Sequence, residues 1–391
     1  MAGKKLGERL SKKLILNEFT GGGCYKMKKS FFFILGILLV LGTIGCGTKS
    51  EETATKQNAK ESNSSNGEKV VIKIADSFPG SHLIPKVATI PWTKRIEELG
   101  KGKIKVEYYP AEQLGKAASL LDVARTGVAD ITYVGPLYVS DKMPLSGVSG
   151  NPGLVKDSLS GSKAFNKLVL EDLYELEFKK QGVKPLWAGT TPPYQIVNSK
   201  HPVKTIEDFK GLKIRTSGGL QEQMMQAWGA TPVSISGTEI YSAWDRGTID
   251  GTLISFFSWP GYQVDKVAKY TTTNAALSAF GITYVVNEKK WSSWPKEVQD
   301  AVWQASQEMP EIMGKGAMED EDKLIEEYKK FNIEFYELPA DELEHWNKEL
   351  ALFNDKWAKD FDAKGLPASE ILRKFKQYNE EFQQDFKKGG N

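Results

Sequence analysis

Leu120-Leu121-Asp122-Val123-Ala124-Arg125-Thr126-Gly127-Val128-Ala129-Asp130-Ile131-Thr132-Tyr133-Val134 reads as a helix that halts at a glycine and runs at once into a short apolar strand. Leu120, Leu121 and Ala124 mark the helix, and Gly127 is the residue type that accepts the left-handed conformation of a C-cap. Upstream, Ile104, Val106 and Tyr108 alternate on one strand and Val70, Ile72 and Ile74 on another. Between those strands lie a loop over Asp76 to Pro85 and a helical stretch toward Leu99. Strand and helix in this strict alternation predict an α/β fold with a largely parallel sheet.

The pattern recurs farther along. A strand over Leu212 to Arg215, a helix near Gln221 to Trp228, a second helix from Thr238 to a stop at Gly247, and a strand Ile249 to Leu253 follow one another. Ser236 and Glu239 stand at capping-box spacing, which specifies that second helix start locally. The helix exits Arg125-Thr126-Gly127-Val128-Ala129-Asp130 and Asp245-Arg246-Gly247-Thr248-Ile249-Asp250 both carry a glycine and then an aspartate entering a strand, as two similarly built lobes would. Near the C-terminus Leu343, Trp346, Leu350, Phe353 and Trp357 recur at helical steps, as do Ile371, Leu372, Phe375, Tyr378, Phe382 and Phe386. Both stripes read as packing faces. The acidic run Glu319 to Asp322 reads as a solvated first helical turn.

At 391 residues, 40% hydrophobic and 26% charged, the chain has material for at least two lobes and an ordinary globular core. Its net charge of +2 comes from residues 1–45, and without them the balance is about −4 with no basic stripe, which excludes an electrostatic case for nucleic acid. Cys24 and Cys46 are the only cysteines and precede the first strand, so the folded body has no disulfide, thiolate metal site or cysteine nucleophile. His82, His201 and His345 share no metal-ligand spacing and read as surface or capping residues, so no metal and no cofactor is expected.

From Met27 the chain reads Lys28-Lys29, an apolar run Phe31 to Val40, and Gly45-Cys46, which is the pattern of a signal peptide over 27–45, too short to span a bilayer. Residues 1–26 are read as an upstream extension from a start called too early. Residues 46–69 follow as a polar tether, nearly free of large apolar side chains. Gly45-Cys46 resembles the lipobox of bacterial lipoproteins, in which the cysteine is lipidated, although Thr43 stands where a leucine is usual. That resemblance implies an extracytoplasmic protein held to the cell membrane through a lipid on Cys46, at the periplasmic face or a Gram-positive outer surface.

Three stretches together resemble the substrate-binding proteins of tripartite ATP-independent periplasmic (TRAP) transporters, the DctP family. They are Pro110 to Gly115 with Asp122 to Ile131, Asp208-Phe209-Lys210-Gly211-Leu212-Lys213-Ile214-Arg215, and Gly229-Ala230-Thr231-Pro232 through Glu239-Ile240-Tyr241 to Asp250-Gly251. The resemblance runs from about Lys69 to the C-terminus. It implies a periplasmic-binding-protein type II-like fold: two α/β lobes joined by crossing strands, with a helical C-terminal region. The lobes are expected at 68–191 plus 280–320 and at 192–279 plus 321–391. The partners it implies are a small organic acid and TRAP-type integral membrane permease subunits, and it implies a receptor, not an enzyme.

Ligands of open α/β sheets bind at the carboxyl ends of strands, and Arg215 ends one, followed by Thr216-Ser217-Gly218-Gly219 leading into a helix N-terminus. Its planar fork suits a carboxylate, and the resemblance makes this position the carboxylate clamp; the alternative is an arginine paired with an internal acid. The further ligand candidates are Asp76, Phe78, Gly135, Tyr138, Tyr194, Ile254, Ser255, Phe257 and Trp259. Tyr194 stands where many relatives carry a second arginine, and Thr252 to Phe257 is apolar where they are polar. Both departures point away from sialic acid or a dicarboxylate and toward a monocarboxylate with an apolar or aromatic tail, with Phe256, Phe257 and Trp259 either pocket wall or lobe core. The alternatives are the binding lipoprotein of an ATP-driven importer and a secreted enzyme, the latter without a nucleophile elbow, phosphate loop or paired-histidine motif in its favour.

Overall fold

The first lobe opens with β1 (Val70–Ala75), α1 (Ile90–Leu99), β2 (Ile104–Tyr109), α2 (Leu120–Thr126) and β3 (Ile131–Val134), and continues through α3 (Ser158–Leu168) to β4 (Val183–Thr190). The chain crosses into the second lobe as β5 (Gln195–Asn198), β6 (Lys213–Thr216), α4 (Leu220–Ala227), β7 (Thr231–Ser234), α5 (Ile240–Asp245), β8 (Gly251–Ile254), α6 (Trp259–Tyr262) and β9 (Tyr270–Thr272). It returns as β10 (Gly281–Asn287), α7 (Glu288–Ser293), α8 (Lys296–Gln307) and α9 (Met309–Tyr328), then adds β11 (Glu334–Tyr336), α10 (Ala340–Asp362) and α11 (Ala368–Gly389). This computed structural model describes residues 69–389, so the readings placed on the upstream extension, the signal segment, Cys46 and the tether to residue 68 lie outside the described residues.

The five-stranded sheet has the order β2-β1-β3-β10-β4 and the six-stranded sheet the order β11-β9-β5-β8-β6-β7. Both are mixed, which corrects the expected largely parallel sheet. β1 lies parallel to β2 and β3, and β6 parallel to β7 and β8, as their helical crossovers require. β10 runs antiparallel to β3 and β4, and β5 antiparallel to β8 and β9. A strand that arrives from the other lobe needs no helical return over its own sheet, so nothing forces it parallel.

The paired Gly-x-x-Asp exits prove to be one structural device used twice. Gly127 and Gly247 stop their helices at φ 75° and 68°. Three residues on, the Asp130 carboxylate accepts the Lys73 N–H at 2.8 Å while the Asp130 N–H donates to the Lys73 carbonyl at 3.0 Å. Asp250 does the same with Lys213, at 2.9 and 2.7 Å. Each aspartate thus clips the start of one parallel strand to its neighbour.

The C-terminal stripes are packing faces, divided between the lobes. Trp346 on α10 lies 5.6 Å from Phe209 and 5.7 Å from Trp228 in the second lobe. α11 instead packs on α3, with Phe375 edge-on to Phe165 at 6.1 Å, so its apolar face sides with the first sheet and not with the second-lobe grouping expected for 321–391. Phe386 leaves the stripe and is exposed. The acidic run Glu319 to Asp322 is also corrected: it sits inside α9, and half-buried Glu321 lies near the backbone of Phe256 and Phe257. Burial pushes that carboxyl up to about 8.

Just past β1, Asp76 is fully buried and accepts from Tyr108 Oη (2.7 Å), Tyr284 Oη (2.8 Å), Thr89 Oγ1 (3.4 Å) and the Phe78 N–H (3.0 Å). Burial outweighs these donors and pushes the carboxyl up from 3.8 to about 6. A native carboxyl that holds its proton more tightly than the unfolded chain does gives stability below the unfolded pKa and loses it as pH rises through the folded one. Asp76 is therefore expected to lower the unfolding free energy by up to about 3 kcal/mol between pH 4 and pH 6. Urea titrations of Asp76→Asn should lack that slope, and a variant that keeps it would remove Asp76 as the cause.

Candidate functional site

The carboxyl ends of the central strands face one another across a cavity lined by twelve residues. The first lobe supplies Phe78 and His82 from the loop after β1, with Tyr133 and Tyr138 from β3 and the turn beyond it. The crossing segments and β10 supply Thr191, Tyr194, Phe280 and Ile282, and the second lobe supplies Arg215, Ile254, Ser258 and Tyr262. Counted out to its open mouth, the non-atom space between them is about 330 Å³.

Arg215 is 2% exposed. On β6, Ile214 turns into the second-lobe core, and strand alternation sends Arg215 the other way. Its Nε donates to the Ile235 carbonyl at 2.9 Å and one terminal nitrogen donates to Tyr138 Oη at 3.0 Å. Two of a guanidinium's five N–H donors are thereby used. Among the described residues no carboxylate lies within 4.0 Å of it. The alternative of an arginine paired with an internal acid is therefore not what the fold builds. Tyr138 also accepts the Gly237 N–H at 3.3 Å, so one first-lobe phenol holds two groups of the second lobe.

Around the arginine stand six Phe or Tyr rings and one imidazole. Burial pushes the Tyr133 and Tyr262 hydroxyls up, and Tyr194 too, although the Arg215 charge pulls Tyr194 partly back. They stay protonated. Tyr133 Oη is fully buried without a hydrogen-bond partner. His82 is buried and not at the surface, while the capping expectation holds: it precedes the helical turn that starts at residue 83, and its Nδ1 accepts the Ile84 N–H at 3.0 Å. Without a charged neighbour to offset desolvation, its pKa falls to about 3.

Of the residues singled out in the sequence, Arg215, Tyr194, Phe78, Tyr138 and Ile254 line the cavity. Asp76 does not, because its carboxylate is turned into the network with Tyr108 and Tyr284. Ser255 precedes the turn Phe256–Ser258, and its hydroxyl pairs with that of Ser258 at 3.4 Å. Phe257 stands one layer back, edge-on to His82 at 5.9 Å, while Trp259 and Phe256 pack with Tyr328 and Phe335 in the second-lobe core. The helix N-terminus after Thr216 is not in the wall either: Gln221 takes the Ser217 N–H at 2.8 Å. Sequence reasoning missed His82, Tyr133, Thr191, Ser258, Tyr262, Phe280 and Ile282. His82 shares its loop with Phe78, and Tyr262 follows Trp259 by three residues, so position relative to the strand ends was the available signal.

Gly135 works from behind the wall. A Cβ there would stand 2.3 Å from Tyr133 Oη and 2.7 Å from the Phe280 ring. Gly135→Ala must displace one of these packed rings, which is expected to cost about 1–3 kcal/mol of unfolding free energy by urea titration. An unchanged midpoint and slope would mean the rings are free to give way.

The DctP family model, bacterial extracellular solute-binding protein, family 7, matches residues 75–360. The C4-dicarboxylate-binding periplasmic protein DctP of Rhodobacter capsulatus is 27% identical over 322 residues, 77% of this chain and 90% of the relative. A TRAP solute-binding protein of a marine metagenome, specific for aromatic acid ligands and crystallised with 3-hydroxybenzoate, superposes with TM-score 0.76 at 21% identity, covering 81% of this chain and 99% of its own. A TRAP solute-binding protein of Rhodoferax ferrireducens holding benzoate gives TM-score 0.75 at 21% identity, with 81% and 99% covered. These likenesses favour the TRAP reading over an ATP-driven importer, and the family and its solved neighbours are solute receptors. With a family model covering most of the two-lobed body, the chain belongs to the DctP family of extracellular solute-binding proteins, the receptors of TRAP transporters.

Proposed function

We propose that this receptor captures a small monocarboxylate with an aromatic tail by closing its lobes, clamps the carboxylate with Arg215, and hands it to TRAP-type membrane permease subunits. The observation that carries the reading is Arg215 itself, buried and without a carboxylate partner among the described residues. A desolvated guanidinium is costly until an anion joins it. Every other lining side chain is uncharged, given that His82 stays neutral, so a ligand's second carboxylate would be desolvated against rings and hydroxyls. The rings offer flat apolar area to an aromatic tail. Aromatic acids are what the metagenome and Rhodoferax ferrireducens proteins hold, and the same class fits this wall.

Isothermal calorimetry with benzoate as probe tests the clamp. Arg215→Ala is expected to cost about 2–5 kcal/mol of binding free energy, because truncation leaves a buried carboxylate unpaired. Arg215→Lys should recover only part, since an ammonium keeps the charge and loses the fork. Equal affinity of wild type and Arg215→Ala rejects the reading.

The receptor is further proposed to be tied to the outer face of the cell membrane through a lipid on Cys46, with residues 46–69 as tether. Among the described residues no helix is long and apolar enough to cross a membrane. Expressed in full length in a bacterial host, the protein should enter the detergent phase on Triton X-114 partition, and Cys46→Ser should move it to the aqueous phase. Wild-type protein in the aqueous phase would dispose of the anchor.

A further inference from the structure

The carboxylate clamp makes no use of the His82 ring edge that carries Nε2. Its imidazole is 2% exposed and lies 4.9 Å from the Phe78 ring, 4.9 Å from Tyr262 and 5.9 Å from Phe257. The Ile84 N–H donates to Nδ1 at 3.0 Å, which makes Nδ1 an acceptor and places the ring proton on Nε2. The opposite edge of the ring rests on α6, where a Cβ at Gly261 would come within 2.5 Å of Cδ2. One edge is thus tied to its own loop and the other pressed on the second lobe. What this wall residue has left to offer is an Nε2–H with no acceptor among the described residues. A donor on the cavity wall, held in one tautomer and one orientation, is well placed to be satisfied by a ligand. Tyr133 Oη, buried and unpartnered on a ring 4.7 Å from Phe78, is a second uncharged group on the same wall.

We propose that His82 is a specificity-determining residue: its Nε2–H selects aromatic acids that carry a neutral oxygen, a hydroxyl or a carbonyl, away from the carboxylate. This rests on the aromatic-monocarboxylate reading and adds what the tail must bear. The selection is made by an uncharged donor. Protonating Nδ1 would break the Ile84 hydrogen bond, so the ring does not become a second cation that would welcome a second carboxylate.

The test is calorimetry on the full chain with benzoate and the three hydroxybenzoate isomers as probes. Wild type is expected to prefer at least one isomer over benzoate by on the order of tenfold, the discrimination one buried hydrogen bond supplies. In His82→Phe that ratio should collapse toward one. In His82→Gln, whose amide NH₂ reaches about where Nε2 stands, most of it should return. Unfolding transitions of the unliganded variants show whether each is folded, and a folded His82→Gln keeps the test alive where His82→Phe is not. A wild type that prefers no isomer, a ratio unmoved in His82→Phe, or a folded His82→Gln that discriminates no better than the phenylalanine variant overturns the inference while benzoate binding still stands. A wild type that binds no member of the panel overturns the aromatic-acid reading first, and this inference with it.

Discussion

A guanidinium buried between two lobes, with no carboxylate of its own chain in reach among the described residues, is the constraint that organises the rest of this structure. Moving such a charge out of water costs several kcal/mol even after relaxation. Two neutral oxygens offset part of that cost, and they belong to different lobes: the Ile235 carbonyl to the second and Tyr138 Oη to the first. On the proposed capture by closure, parting the lobes would return the fork to water, and closing them would remove the water and demand an anion. A ligand whose carboxylate meets the fork only in the closed arrangement binds the two states unequally, and unequal binding is the only means by which a ligand drives closure.

The hinge takes a direct part in this. The two crossing segments pair with each other, through Thr191 N–H to the Phe280 carbonyl (3.0 Å), Tyr194 N–H to the Ser278 carbonyl (2.7 Å) and Leu277 N–H to the Tyr194 carbonyl (2.9 Å). Thr191, Tyr194 and Phe280 also line the cavity, so the strands that bend are in contact with what they close upon. Away from these segments, Asp130 and Asp250 clip the parallel strands of each sheet at matching places. α9 runs beside both lobes, with Met313 buried in the core cluster shared with Trp187 and Tyr328 stacked 4.8 Å from Trp259. Lobe movement therefore has to be accommodated along that helix as well as in the two strands.

Much of this was legible in the sequence because local chemistry wrote it there. The capping box at Ser236 and Glu239 forms as its spacing requires, and the strand alternation around Ile214 gave Arg215 its direction. What the sequence concealed are relations made only by the crossing strands. β10 pairs with β3 through Thr283 and Val134, 149 residues apart in sequence, and its antiparallel sense follows from its route between lobes. Phe257 and Trp259 show the same limit at the site. Both are large and apolar in a segment that enters the cleft, yet one backs the wall and the other fills the lobe core, since hydrophobicity marks burial without saying in which cavity. His82 failed differently: a lone histidine in a polar loop carries no burial signal, and it is enclosed by Phe78 of its own loop together with Phe257, Gly261 and Tyr262 of the other lobe.

The charge balance of the closed cleft follows from a single position. Where the family resemblance implied a second arginine, Tyr194 presents a phenol, buried and lining the same cavity as Arg215. With two cations a dicarboxylate enters a neutral sum; with one, it leaves an uncompensated charge in a space walled by rings, and a monocarboxylate closes the sum. Charge alone does not separate one monocarboxylate from another. That second level of choice falls to groups that are polar, uncharged and fixed in direction, because an unmet hydrogen bond in a dry site discriminates without altering the electrostatic sum. Tyr133 Oη and the His82 imidazole meet those requirements, one without a partner and the other held in a single tautomer, so on the proposed reading selectivity and attraction of the acid fall to different residues.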